Sequence, residues 1–215
     1  MPYLDSILFA ILLCCGIGYF VLNVKKIIRN IKLGQDVNRS DNPKERWNNM
    51  AMIAIGQSKM VKRPISGILH IIVYVGFVII NIEVLEIIID GLFGTHRVFS
   101  FMGGFYDFLI GSFEILAFLV LVAVLIFFIR RNIIKLKRFI HSDLKGWPKN
   151  DANYILYFEV VLMTLFLLMN ASDARLQHLG YSHFTEAGYF PISQYIEPIF
   201  DGMAVSKVAL IERTT

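Results

Sequence analysis

Residues 65–89 read ISGILHIIVYVGFVIINIEVLEIII, a stretch long and apolar enough to form a helix that crosses a membrane. A hydrocarbon core of about 30 Å needs about 20 helical residues at about 1.5 Å each. The stretch also contains His70, Asn81, Glu83 and Glu86, which a simple membrane anchor does not need. Because polar and ionisable groups are costly inside a membrane, they indicate a functional site on this helix.

The composition of the whole chain indicates a membrane protein. The 215 residues are 56% hydrophobic and have a mean hydropathy of +0.59, which is too apolar for a soluble domain of this size. Four long apolar runs satisfy the length requirement for a spanning helix, at residues 4–24, 65–89, 108–129 and 152–170. We therefore predict an all-α fold, a single transmembrane domain over residues 1–215 with four spanning helices. The last residues, VALIERTT, resemble the approach to another helix. We therefore expect the chain to be part of a bundle of five or more helices, either as a fragment or as a split subunit.

The distribution of Lys and Arg predicts how the helices are oriented. Residues 25–63 contain ten of these cations and residues 130–151 contain seven, whereas residues 90–107 contain one. Because basic loops remain on the cytoplasmic side, we predict cytoplasmic loops at 25–64 and 130–151, with loop 90–107 and tail 171–215 outside. The predicted location is the inner membrane of a bacterium, with the N-terminus outside. Because topology accounts for the basic charge, neither a nucleic-acid patch nor a lipid-headgroup patch is needed to explain it. The predicted partners include membrane lipid and exclude nucleic acid.

His70 is a candidate haem ligand. It lies six residues after Pro64, about 9 Å along the helix, and Gly67, Tyr74 and Phe77 fall on nearly the same face. A small residue and two aromatic residues beside a histidine suit a flat haem, whose iron takes imidazole as an axial ligand. A buried histidine hydrogen-bonded to a neighbouring helix would give the same pattern. The remaining histidines fall in predicted loops: His96, His141, His178 and His183.

Carboxylates form a second candidate group. Glu83, Glu86 and Asp90 are spaced i, i+3 and i+7 near the outer end of this helix, and Glu114 enters the third span from the same side. Carboxylates at such a depth suit proton uptake or release, including proton exchange with a quinone. We predict this role for Glu83 and Glu114, and expect Glu86 and Asp90 to reach the lipid headgroups. Glu159, an isolated acid in the fourth span, fits either a proton route or a partner in a basic loop.

Metal-binding cysteine motifs are missing from the sequence. Cys14 and Cys15 are adjacent, and no CxxC array exists, so we expect this chain to hold no iron–sulfur cluster by itself. No zinc-site, P-loop, dinucleotide-binding or nucleophile-triad motif is present either.

Several strings carry a resemblance to a known family. GQSKMVKRPISGILHIIVYVGFVIINIEVLEIIIDG, FEILAFLVLV and KGWPKND resemble the membrane part of bacterial iron–sulfur-binding oxidoreductases. That membrane anchor is similar to the nitrate reductase gamma subunit and to the membrane cytochrome of heterodisulfide reductase. The resemblance implies about five helices, a b-type haem between the second and fifth, and a cytoplasmic iron–sulfur domain that exchanges electrons with a quinone pool. His70 matches the ligand position on the second helix, and the fifth helix with the partner histidines would follow this sequence.

Three hypotheses follow. The first is a membrane electron-transfer subunit that links the quinone pool to a cytoplasmic iron–sulfur oxidoreductase through haem b, either non-catalytic or quinone-reactive. The second is a haem-free anchor that docks an iron–sulfur protein. The third is a small proton-coupled transporter that uses Glu83, Glu114 and Glu159, for which the sequence shows no inverted repeat.

Overall fold

The computed structural model describes residues 4–35, 40–136, 146–181, 184 and 186–214. Within these ranges the chain forms six α-helices and no strand. They are α1 Leu4–Lys32, α2 Pro43–Met50, α3 Pro64–Phe93, α4 Gly104–Phe128, α5 Trp147–His178 and α6 Val205–Thr214. The predicted all-α fold class is confirmed.

Four of these helices, α1, α3, α4 and α5, are long and apolar enough to cross a membrane, as the sequence predicts. We call the end of the bundle where α3 starts, α4 finishes and α5 starts the lower end, and the opposite end the upper end. The lower end corresponds to the side predicted to be cytoplasmic. α5 is longer than its apolar run, because Pro148 suits a helix start and the polar residues after Asn170 continue the helix to His178.

The core lies between α3, α4 and α5. Gly76 of α3 meets Val120 of α4 so closely that a Cβ atom at position 76 would lie 2.4 Å from Val120 Cγ2. On the other side of α4, apolar residues pack against Met163 and Phe166 of α5. At the lower end the amides of Asn132 and Asn153 exchange two hydrogen bonds of 3.1 and 3.2 Å. These contacts hold the three helices in one bundle.

α1 is attached differently from the other spanning helices. None of its residues is buried, and its contact with α3 includes the ring of Phe9 against Gly91 near the upper end. Its exposed apolar residues include Leu12, Tyr19 and Phe20. α1 therefore covers little of the core and presents apolar surface nearly all round.

Residues 186–214 of the predicted outer tail form a layer over the upper end. Two short 3-10 turns, Ser193–Tyr195 and Glu197–Phe200, lead into α6. Phe200 and Val208 from this layer are buried against Leu176 of α5. The layer closes the upper end of the bundle.

The segment between α1 and α3 contains the short helix α2. α2 continues into one π-helical turn, Ala51–Ile55, and neither part buries a residue. Trp47 is exposed.

The contact between Gly76 and Val120 gives a testable prediction. Gly76→Ala should lower the free energy of unfolding by about 1–3 kcal/mol, because the stiff valine cannot rotate away from an added methyl group. Adding Val120→Ala should recover part of the loss, so the two effects should not be additive. Gly18→Ala in α1, where no atom lies within 4 Å of the added Cβ, is the matched control. Equal losses in Gly76→Ala and Gly18→Ala, measured by unfolding in detergent, would contradict this packing.

Candidate functional site

A buried arginine from the loop between α3 and α4 organises the upper end. The side chain of Arg97 is 7% exposed. Its Nε donates to Asp173 Oδ2 at 2.8 Å, its Nη1 to Glu83 Oε1 at 3.2 Å and its Nη2 to Asn170 Oδ1 at 2.8 Å. One guanidinium group thus connects the loop to α3 and α5. The ring of Phe190 also lies 5.3 Å from its central carbon.

The charge of Arg97 is stabilised by its partners. Burial alone would lower the pKa of Arg97, but the carboxylates of Asp173 and Glu83 raise it well above its usual range. A planar guanidinium with several fixed donors suits such a multiple contact better than an ammonium group does. When Asp173 and Glu83 are both ionised they carry two negative charges. Arg97 neutralises one of these, so one negative charge remains. His96, whose Nε2 lies 3.0 Å from Asp173 Oδ1, extends the network toward the surface.

The remaining acids of α3 hold the same loop by its backbone. Glu86 accepts hydrogen bonds from Phe99 N at 2.8 Å and Tyr106 Oη at 2.7 Å. Asp90 accepts from Arg97 N at 2.7 Å and from the Thr95 hydroxyl. The loop therefore folds back over the helix end that precedes it. Arg97 itself has a left-handed backbone with φ 53°, which turns its side chain into the bundle.

The expectation that Glu86 and Asp90 reach the lipid headgroups is wrong. Glu86 is buried. Asp90 is partly buried and accepts a hydrogen bond from the backbone N–H of Arg97 in the following loop. The physical reason is that loop 94–103 supplies nearby N–H and O–H donors, so both acids are satisfied without reaching the membrane surface.

Glu114 is fully buried and bound to the layer that covers the upper end. Its Oε2 accepts from the backbone N–H groups of Ile192 at 2.9 Å and Ser193 at 3.1 Å, and its Oε1 accepts from the Ser193 hydroxyl. The Ser193 oxygen also lies 3.0 Å from the carbonyl oxygen of Leu167. Both oxygens of this carboxylate are therefore used to attach the covering layer to α4 and α5.

Glu83 differs from Glu114 in one respect. Its side chain is 1% exposed, yet its Oε2 has no hydrogen-bond partner among the described residues. Asn170 Nδ2 and His96 Nδ1 are buried and unpartnered as well, and all three side chains belong to the Arg97 network. Glu83 Oε2 can accept a proton or a hydrogen bond and Asn170 Nδ2 can donate a hydrogen bond, so the described network has hydrogen-bonding capacity that its own members do not use.

The histidine face of α3 lies toward the lower end. His70 and Tyr74 are half-buried, whereas Phe77 is 65% exposed. Gly67 is buried against its own preceding turn, since a Cβ atom there would lie 2.9 Å from Met60 O. This close approach requires glycine whether or not a cofactor binds. The structure does not bring a second histidine to this face within the described residues: His96 and His178 lie at the upper end, and His141 and His183 fall outside the described ranges.

No described group of three or more His, Cys, Asp or Glu side chains is arranged to hold a metal ion. Glu159 is half-buried in α5 and does not meet the other acids.

Sequence reasoning missed the centre of the network. Arg97 is the single Lys or Arg of loop 90–107, and a lone cation that follows three acids on a helix was the available signal. Asn170 and Asp173 fall where the hydropathy of the fourth run ends, so they were assigned to the end of the span and to the tail. Ser193 carried no signal, because a single serine in a loop is common.

A known relative covers nearly the whole chain. Over 200 residues, 93% of this chain, the sequence is 32% identical to the probable iron–sulfur-binding oxidoreductase FadF of Bacillus subtilis. The chain spans 25% of the length of FadF. No protein-family model matches the chain, and no solved structure matches it. The similarity to FadF supports the predicted resemblance to iron–sulfur-binding oxidoreductases, while the finer likeness to a nitrate reductase gamma subunit stays a prediction.

The Arg97 network gives a second prediction. Arg97→Ala should lower the free energy of unfolding by about 3–5 kcal/mol, because it leaves buried carboxylates without a counter-charge. Arg97→Lys should lose part of that amount, since one ammonium group cannot reach all three partners. Arg46→Ala is the control: the side chains of Arg46 and its partner Asp41 are 47% and 76% exposed, and such a pair contributes about 0–1 kcal/mol. Comparable losses for Arg97→Ala and Arg46→Ala in a denaturing-detergent titration would contradict the assigned role.

Proposed function

We propose that this chain is the membrane-embedded electron-transfer part of an iron–sulfur oxidoreductase. The observation that carries the proposal is the match to FadF over 93% of the chain, within a fold that contains four helices able to span a membrane. FadF is described as an iron–sulfur-binding oxidoreductase, and the described residues of this chain form no group of three or more His, Cys, Asp or Glu side chains that could hold a metal ion. In the proposed arrangement an iron–sulfur protein or domain is the partner, and this chain connects it to the membrane.

The finer proposal is that His70 binds the iron of a b-type haem. The fit to the cofactor is partial. His70 supplies one imidazole, and Tyr74 and Phe77 leave an incompletely covered aromatic face beside it. The second axial ligand would come from another helix, in the same polypeptide or in a partner subunit. A bound haem would supply reversible one-electron transfer, and the residues of α3 would orient it near the lower end.

A quinone is the proposed partner for proton-coupled exchange in the membrane. Interconversion of quinol and quinone transfers two electrons and two protons, so a nearby group must release or accept protons. Glu83 is the better candidate of the two predicted acids, because its Oε2 is unpartnered, whereas both oxygens of Glu114 are engaged. Arg97 beside Glu83 would stabilise the carboxylate form after proton release.

The haem proposal is tested by spectra of membranes that contain the complete complex. His70→Ala should remove a b-type band from the reduced-minus-oxidised difference spectrum. His70→Met, which retains an axial ligand, should keep a band and shift the reduction potential, whereas His70→Gln should behave like alanine. A band that is kept in His70→Met and lost in His70→Gln would indicate that position 70 ligates the iron, because both side chains fill similar space.

Two outcomes would contradict haem ligation. One is a wild-type complex without a b-type band, and the other is a band that survives unchanged in His70→Ala. If His70→Ala instead lowered assembly with no change in any cofactor signal, the haem-free anchor would be the correct function.

The proton role is tested with a pair of isosteric substitutions. Glu83→Gln keeps an oxygen that can accept from Arg97 but cannot exchange a proton, so quinol-dependent reduction of the complex should slow by about 100-fold or more. Glu114→Gln should lower stability only modestly, because its amide oxygen can still accept from the N–H groups of residues 192 and 193 but the charge-assisted bonds become neutral ones, and it should leave the rate per folded complex near wild type. Stopped-flow reduction kinetics and a thermal melt measure the two effects. A wild-type rate in Glu83→Gln would remove this residue from the mechanism.

A further inference from the structure

A cleft at the lower end includes neither His70 nor any residue of the Arg97 network among its described lining residues. It has a volume of about 400 Å³, is open to the surroundings, and lies between the start of α3 and the end of α4. The described residues that line it are Arg63, Pro64, Ile65, Ser66, Arg130 and Leu136. The cleft therefore combines two cationic side chains with mainly apolar walls.

None of the six described lining residues is acidic, so the positive charge of the cleft has no counter-charge among them. Arg130 Nε is shielded from solvent yet has no hydrogen-bond partner among the described residues. Arg63 is exposed and belongs to a different segment of the chain from Arg130. The positive end of the α3 dipole adds to the positive potential in the cleft. Two guanidinium groups with unused donors fit an anion with several acceptor oxygens, because the fork geometry of Arg matches phosphate.

The position of the cleft along the helices indicates the source of that anion. Arg63 directly precedes the spanning segment Pro64–Phe93, and Arg130 lies in the last turn of the spanning segment Gly104–Ile133. Both side chains thus lie at the boundary between apolar helix and loop, where headgroups are found. Ile65 and Ile133 beside them are exposed apolar residues, so an acyl chain can follow the helices below the charged groups.

We propose that this cleft binds the headgroup phosphate of an anionic phospholipid. Arg63 and Arg130 contact the phosphate oxygens, while Ile65 and Leu136 contact the adjoining apolar part of the lipid. Free phosphate and a lipid headgroup would offer the cleft the same anionic oxygens. The apolar walls at the membrane boundary favour the lipid, because its apolar part can contact them. This proposal does not depend on haem or quinone binding.

The test uses the full chain purified in detergent and supplemented with one of three additions: phosphatidylglycerol, phosphatidylcholine or inorganic phosphate. Saturating phosphatidylglycerol should raise the melting temperature by roughly 5 °C, and native mass spectrometry should detect the retained lipid. The Arg63→Gln/Arg130→Gln variant should lose most of this rise and the retained lipid. Neither arginine has a described ion pair, so the variant should still fold.

The control removes the same charge elsewhere at the same end. Lys25→Gln/Lys26→Gln alters two exposed cations near the end of α1, and should keep the wild-type response to phosphatidylglycerol. If the control lost the same part of the rise in melting temperature, general surface charge would explain the effect and the proposed site would be wrong. An equal rise with phosphatidylcholine or with inorganic phosphate would overturn the assignment to an anionic lipid.

Discussion

The ion pairs of Arg97 are the interaction on which the upper half of the molecule depends. A guanidinium group removed from water loses solvation that only charged or strongly polar partners can replace. Here Glu83, Asp173 and Asn170 supply those partners from two different helices. The arginine cannot remain buried unless α3 and α5 stand at the correct height relative to each other. One loop residue therefore fixes the register of two spanning helices.

The two ends of the bundle differ in how completely the chain covers them. At the upper end Glu86, Asp90 and Glu114 all bind loop or layer donors, and the covering layer closes over them. At the lower end the face that carries His70 is incompletely covered, and Phe77 is exposed beside it. The upper end is therefore covered by residues of this chain, whereas the lower end offers surface for a further helix, a cofactor or a partner. This asymmetry agrees with the proposed role in an iron–sulfur oxidoreductase.

The sequence was a good guide to features that depend on local composition. Length and continuous apolarity were sufficient to predict the four long helices, and Pro64 marked the start of α3. Patterns within α3 also showed that Glu83 shares a region with other acids. Local patterns could not show what those acids bind, because Arg97, Asp173 and Ser193 reach them from distant parts of the chain. The positive-inside rule uses Arg97 only as one charge in a loop, and the hydropathy pattern uses Asn170 only as the end of a span. Neither pattern predicts that these two side chains contact each other.

The polar end of α5 bears on the order in which the protein is assembled. Its most apolar window has a mean hydropathy of 1.8, against 2.4 for α3 and 2.9 for α4, and its last turns contain Asn170, Asp173 and Gln177. α5 therefore inserts into the membrane less readily by itself than α3 and α4 do. Because α3, loop 94–103 and α4 are synthesised first, they can already present Arg97 to the incoming helix. Earlier helices would thus act as an intramolecular receptor for the membrane insertion of α5.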